Sequence, residues 1–382
     1  MPTMNASAPS EMLAEEFVNT SQWNAGNEAN HTLAGIYPLN GTCEDVFADY
    51  LVIRGGVGTT LALFGIIGNT LSIIVLSHRN MRSPTSYFLM CLAGFDNIIL
   101  MTLILEVVTL YADLYIKLAF MPFLVSLQKI GQTGTVSMTL TIATERYVGI
   151  TRPFSGMTFS DSNVPIYVII GVVCFSLVYN IPYYISFKFE TYYEPAIGGT
   201  WIQPSFTSLW NSPFTKIYKF HVQLICMYIL PWIAMLVLNL LIIRAIWSRR
   251  RSSSLSRWYR SNKMDKRMTL AVLAVTTLFF IAYPFMAILD DVIIPKELLV
   301  SQCHRSRSVF FFSRDLLIML NSATNFLFYC MLGKKFRQVC VVRFCPQRAR
   351  RISQGLSSRL NMFSTRFSTS MTTHKSPSPS SV

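Results

Sequence analysis

Charge is what this chain has least of. Of its 382 residues only 14% are Asp, Glu, Lys or Arg, against 52% hydrophobic residues and a mean hydropathy of +0.40. A soluble domain carries roughly a quarter charged residues, so the apolar excess here has to gather in long runs. Histidine is scarce and scattered: His31, His78, His221, His304 and His374 fall on separate segments, which argues against the clustered ligands of a metalloenzyme. Lys and Arg are missing altogether from residues 1–53, where Glu11, Glu15, Glu16, Glu28, Glu44, Asp45 and Asp49 are all acidic. No apolar stretch near Met1 has the form of a cleavable signal, so the first long run is expected to insert the chain itself. Internal repeats and paired broken half-helices, the marks of a transporter, are absent as well.

What is present is seven apolar runs, at about 56–77, 86–111, 120–148, 164–187, 217–247, 268–294 and 308–332. Each covers the ~20 residues an α-helix needs to cross ~30 Å of hydrocarbon. Backbone groups in lipid must bond internally, so runs of this length mean helices. The expected fold is an all-α membrane protein, a seven-transmembrane helix bundle over 54–332. Nine basic residues and one acid, Asp265, lie between Arg244 and Arg267. Lys334, Lys335, Arg337, Arg343, Arg348, Arg350 and Arg351 follow the seventh run. Basic flanks mark the cytoplasmic side, which puts the N-terminus outside and the C-terminus inside. This charge borders lipid-length helices rather than a soluble basic face, so a nucleic-acid partner is excluded.

The outer segment 1–53 carries four sequons, at Asn5, Asn19, Asn30 and Asn40, which reads as a glycosylated extracellular segment. After Gly333, apolar and basic residues alternate at helical spacing through Cys345. That pattern predicts an amphipathic eighth helix at the membrane interface over 333–345. Cys340 and Cys345 on it are either palmitoylation sites or free thiols. Residues 346–382, rich in Ser and Thr, read as a disordered cytoplasmic tail open to kinases. Polar and bulky residues alternate around Pro195-Ala-Ile-Gly198-Gly199 and suggest a β-hairpin outside the membrane.

Ionisable residues inside membrane-length runs are functional candidates by default. Asp96 lies mid-span in the second run, with Glu106 near its outer end; Glu145-Arg146-Tyr147 ends the third run; Arg314 and Asp315 open the seventh. Alone, Glu145 and Arg146 would read as an interfacial ion pair anchoring a helix. Small residues Gly65 and Gly68 with Asn69 in the first run allow close helix approach. Pro231 and Pro284 lie in the fifth and sixth runs, where a kink is expected at Pro284.

Taken in order, Gly68-Asn69, Leu92-Ala-x-x-Asp96, Glu145-Arg146-Tyr147, Pro231, Pro284 and Asn325-x-x-x-Tyr329 with Phe336 resemble the rhodopsin-like (class A) G-protein-coupled receptors over about 54–345. Met81-Arg-Ser-Pro-Thr-Ser and Asn325-Phe-Leu-Phe-Tyr-Cys330 look like the neuropeptide branch, near the invertebrate FMRFamide-type receptors. The resemblance implies no enzyme. It implies a heterotrimeric G protein contacted through Glu145, Arg146, Tyr147, Asn325 and Tyr329, with arrestin and kinases acting on the tail. It implies that outward motion of the sixth helix frees Arg146 for the G protein. It also implies a sodium site at Asp96, Thr135, Asn321 and Asn325, oxygens a hard cation accepts; the alternative is an Asp96 that carries a proton and only hydrogen-bonds. Gln128 stands where amine receptors carry Asp and Met319 where opsins carry Lys, so the resemblance points away from amines and retinal. A peptide ligand ending in Arg-Phe-amide would meet Glu106, Gln128, Lys129, Trp201 and Asp315, with Asp290 and Asp291 at the rim. The open alternatives are that Asp315 pairs with Lys129 and that Asp290 and Asp291 are merely solvated. The chain also departs from the family. Met121 and a cysteine-free 188–215 replace the usual disulfide, Val172 and Ala282 replace two tryptophans, and Phe326 replaces a proline. The outward-facing Cys43 and Cys303 are either bonded to each other or two free thiols.

Overall fold

A computed structural model describes residues 51–108, 114–151, 163–194, 199–209, 212–251, 263–289 and 305–344. Eight labelled helices organise them: α1 Thr59–Leu76, α2 Pro84–Val108, α3 Leu114–Thr151, α4 Val164–Tyr179, α5 Leu230–Arg251, α6 Lys263–Leu289, α7 Arg305–Leu332 and α8 Lys334–Phe344. A π-helical lead-in, Leu51–Gly58, precedes α1, so helical structure begins ahead of the expected boundary at 54. By length and apolar composition, five described helices suffice to cross a membrane: Val52–Leu76, Pro84–Val108, Val164–Ile185, Leu224–Ser248 and Ser313–Leu332. The sixth contributes a shorter apolar stretch, Thr269–Ala282.

Length is not what keeps α3 out of that group, since it has 38 residues. It is rich in hydroxyls, and these are satisfied within the helix. Thr133, Ser137, Thr139, Thr141 and Thr144 each donate to the carbonyl four residues back, at 2.7–2.9 Å. A hydroxyl bonded to its own helix no longer needs water. The apolar criterion therefore understates how well this helix tolerates lipid and buried surroundings.

Packing places α3 at the centre, against α2, α4, α5 and α6, while α1 closes the ring by packing on both α2 and α7. Close seams need missing side chains. A Cβ on Gly65 would lie 2.9 Å from the Ala323 Cα, and one on Gly134 would lie 2.3 Å from the Phe95 ring; each backbone approaches its neighbour too closely for any larger residue. The inner cluster gathers Phe88, Leu92, Met138, Ile142, Val272, Tyr329 and Phe336. Outward-facing residues are instead large and apolar, as at Leu63, Ile170, Val178, Ile233 and Leu240. On the span Val164–Ile185 only 17% is buried inside the protein, so its other faces require a non-aqueous neighbour.

Proline explains two irregularities. Pro231 supplies no N–H, and its ring would crowd the carbonyl four residues earlier. The chain widens before it into π turns, Tyr218–Val222 and Leu224–Ile229, with the Leu230 N–H bonding Ile225 O. Pro182 likewise follows a break at Asn180, after which one short turn, Ile181–Ile185, leads outward. The backbone of α6 runs through Pro284 to Leu289 as helix.

The expected hairpin is formed by β1 Phe187–Glu194 and β2 Gly199–Phe206, antiparallel with Phe187 opposite Phe206 and Glu194 opposite Gly199. Its second strand packs on α3. At the other end, Arg337 of α8 donates to Cys330 O (2.7 Å) and Met331 O (2.5 Å), capping α7. Phe336 and Val339 are the buried face of α8.

Candidate functional site

The candidate residues form three polar sites along the bundle. At the end of the bundle where α2 finishes and α7 begins, called the outer end by the expected orientation, Glu106 of α2 and Asp315 of α7 do not stand open. Arg54, in the π-helical lead-in, bonds Glu106 through Nη2, and its Nη1 lies 3.2 Å from Asp315 Oδ2. One guanidinium fork thus bridges carboxylates from two helices, the geometry arginine favours. Arg314 adds contacts to Asp315 Oδ1 at 3.0 and 3.2 Å. The alternative pairing of Asp315 with Lys129 is corrected: Asp315 is held by Arg54 and Arg314, because the lead-in brings Arg54 over the tops of α2 and α7. The Lys129 ammonium lies 5.8 Å from the Tyr183 ring centroid, in cation–π range. Lys129 also lines a small cleft with Gln132, Thr133, Tyr179, Asn180, Gln223, Met227 and Tyr228. Gln128 is buried next to it in the chain.

The middle site centres on Asp96, fully buried on α2. Thr135 of α3 donates to Oδ1 at 3.0 Å and Asn325 of α7 to Oδ2 at 2.6 Å. The Ser322 carbonyl, beside Asn321 on α7, accepts from Asn69 of α1 at 3.0 Å. Three helices therefore meet at one carboxylate, and α1 is tied to α7 beside it. Asn321 is buried one residue before Ser322, and Ser322, not singled out from the sequence, joins α7 to α1 through its carbonyl. One carboxylate and the Thr135 hydroxyl fit a hard monovalent cation by donor type. Asn325 reaches Asp96 through its amide nitrogen, so only its carbonyl, turned inward, would serve such an ion. Among the described residues no three His, Cys, Asp or Glu groups gather around a common point.

At the inner end, Arg146 donates to Glu145 through Nε (2.7 Å) and Nη2 (2.5 Å). Thr85, in the first turn of α2, closes the ring. Its hydroxyl accepts from Arg146 and lies 3.0 and 3.1 Å from the two Glu145 oxygens as donor. Thr85 was missed in the sequence, although Pro84 just before it signals a helix start. Tyr147 is half-buried, and Tyr329 is buried with its ring 6.1 Å from Phe336.

Where the family tryptophan is replaced by Ala282, that alanine is buried. A neighbouring aromatic contact stands close by: Trp232 of α5 stacks on Phe280 of α6 at 5.1 Å and 9°, its Nε1 donating to Phe280 O at 3.2 Å. Cys340 is half-buried against the inner cluster. Several expectations lie outside the described residues: the sequons at Asn5, Asn19, Asn30 and Asn40, the pair Cys43 and Cys303, Asp290, Asp291, Cys345 and the tail 346–382. The backbone of Trp201 belongs to β2, with its side chain outside the described set.

The family model for the 7 transmembrane receptor (rhodopsin family) matches residues 68–329. The chain is 29% identical to a Drosophila melanogaster FMRFamide receptor over 329 residues, covering 81% of this chain and 58% of that protein. It is 24% identical to the Caenorhabditis elegans FMRFamide peptide receptor frpr-18, covering 74% of this chain and 66% of that one. Human neuromedin-U receptor 2 matches at 25% identity, over 72% of this chain and 67% of its own length. The chain thus spans about three fifths to two thirds of the FMRFamide receptors it matches. These are receptors rather than enzymes, and the family match covers every carboxylate of the three polar sites but not Arg54. The chain is a multi-pass membrane protein and belongs to the rhodopsin family of seven-transmembrane receptors.

Proposed function

We propose that this chain is a plasma-membrane receptor for an extracellular peptide of the Arg-Phe-amide type, and that it activates a heterotrimeric G protein. The N-terminus lies outside and carries glycans at the sequons, and the C-terminus lies inside. Similarity to receptors named for FMRFamide supports the ligand class. The observation that carries the reading is at the outer end. Glu106 and Asp315, from two helices, are spaced to grip one guanidinium, because Arg54 already satisfies both. A peptide arginine has the same head group. The aromatic end of the peptide then lies toward Gln128, Lys129 and the hairpin carrying Trp201, with Asp290 and Asp291 at the rim.

Binding favours an arrangement in which α6 moves outward at its inner end. A ligand shifts such an equilibrium only by its difference in affinity for the two states. In the resting state Arg146 is held by Glu145 and Thr85; released, it meets the G-protein α-subunit together with Tyr147, Asn325 and Tyr329. Asp96, Thr135, Asn321 and Asn325 would hold a sodium ion that favours the resting packing. Kinases and arrestin act on 346–382, and Cys340 or Cys345 takes palmitate.

Replacing one carboxylate removes a charge-assisted contact worth roughly 1.5–3 kcal/mol. Glu106→Gln and Asp315→Asn should each lower the affinity of an Arg-Phe-amide peptide by about tenfold or more, read by radioligand binding to expressing membranes. Unchanged affinity in both variants at normal surface expression removes the ligand assignment.

A further inference from the structure

Arg54 occupies the two carboxylates that the reading above assigns to the peptide. Its fork spans Glu106 on α2 and Asp315 on α7. A carboxylate pair filled by one fork cannot accept a second in the same geometry. Charge points the same way: Arg54 and Arg314 already face Glu106 and Asp315 among the described contacts. Arg314 is fixed within the regular α7 beside Asp315. Arg54 sits on the π-helical lead-in, with Gly55 and Gly56 directly after it. π turns are rare and frequently lie at functional sites, and glycine pairs leave the backbone free to turn. A Cβ on Gly55 would meet nothing within 4 Å, so there is open space directly beside Arg54's chain neighbour. The Arg54 side chain is 15% exposed, close enough to water for its head to be rehydrated.

We propose that Arg54 is a tethered occupant of the receptor's guanidinium site, displaced by the arginine of the peptide. This rests on Glu106 and Asp315 being the peptide's arginine site. Exchange replaces one charge-assisted fork with another, and Arg54 returns to water with the outermost turns before α1. A side chain without positive charge offers the carboxylates nothing and leaves Arg54 in place. Arg54 therefore sets both affinity and selectivity: it discounts every arginine ligand by the fraction of time it holds the site. Its departure also removes a bond that ties the start of α1 to α2 and α7, which couples ligand entry to the outer packing of three helices.

The test uses the full chain in expressing membranes, with tritiated FMRFamide and the same peptide carrying citrulline in place of arginine. If Arg54 holds the site nine-tenths of the time, Arg54→Gln raises FMRFamide affinity about tenfold and leaves the citrulline peptide unchanged. Arg54→Lys, which keeps the charge but loses the fork, gives a smaller rise with the same selectivity and serves if Arg54→Gln fails to reach the surface. Equal gains for both peptides, or no gain for FMRFamide in a variant present at the surface, overturn the proposal. Glu106→Gln separates the two levels. If it abolishes the preference for arginine over citrulline while the Arg54 variants gain nothing, only the tethered-occupant idea falls. If Glu106→Gln and Asp315→Asn both preserve that preference, the arginine site itself is wrong, and this proposal with it.

Discussion

Asp96 shows how much a single buried carboxylate can organise. It is fully buried, and α3 and α7 each supply a donor, with Asn69 of α1 joined through the Ser322 carbonyl. Uncompensated, such a group in a dry interior costs several kcal/mol; here each bond also fixes a helix. If sodium binds there, Asp96→Asn should erase the effect of sodium on agonist affinity, measured by peptide binding in sodium and in N-methylglucamine; a retained sodium effect places the ion elsewhere. Asp96 and Arg146 were legible because ionisable groups inside membrane-length runs are rare. Arg54 and Thr85 were not, since both lie at helix starts, where a polar residue needs no excuse. For Arg54 one signal existed: it is the first basic residue of the chain, at the start of an apolar run, and Glu106 and Asp315 sit near the ends of their own runs.

Between elements, the contact to probe is the inner tie from α2 to α3. Thr85 accepts from Arg146 and donates to Glu145, so three side chains on two helices form one closed unit. Such units couple more strongly than separate pairs. Thr85→Ala removes the bridge but keeps the Glu145–Arg146 pair. It should raise ligand-independent nucleotide exchange about two- to fivefold, which corresponds to roughly 0.4–1 kcal/mol of bias toward the open state. Basal exchange equal to wild type at matched expression would deny Thr85 that role. Helix positions were readable from apolar run length, and the hairpin from alternation and glycines. The π turns before Pro231 were not, because proline states where an N–H is missing but not how the preceding turns absorb it. Likewise, Ala282 marks a lost tryptophan, yet the Trp232–Phe280 stack between α5 and α6 follows from tertiary packing that spacing within one helix does not encode.

For the whole molecule, seven long helices carry polar groups at three levels. Glu106 and Asp315 lie at one end, Asp96 in the middle and Arg146 at the other, and α3 or α7 carries a member at every level. The helix bundle was legible in the sequence from run length, which solvation in lipid sets, and the family from the order of motifs. The direct test is guanine-nucleotide exchange on a heterotrimeric G protein, in membranes expressing the full chain and exposed to a panel of peptides with and without terminal Arg-Phe-amide. The account expects Arg-Phe-amide peptides to drive exchange in a saturable way and Arg146→Ala to abolish it while preserving peptide binding. Exchange that no such peptide stimulates, or that persists in Arg146→Ala, would contradict it.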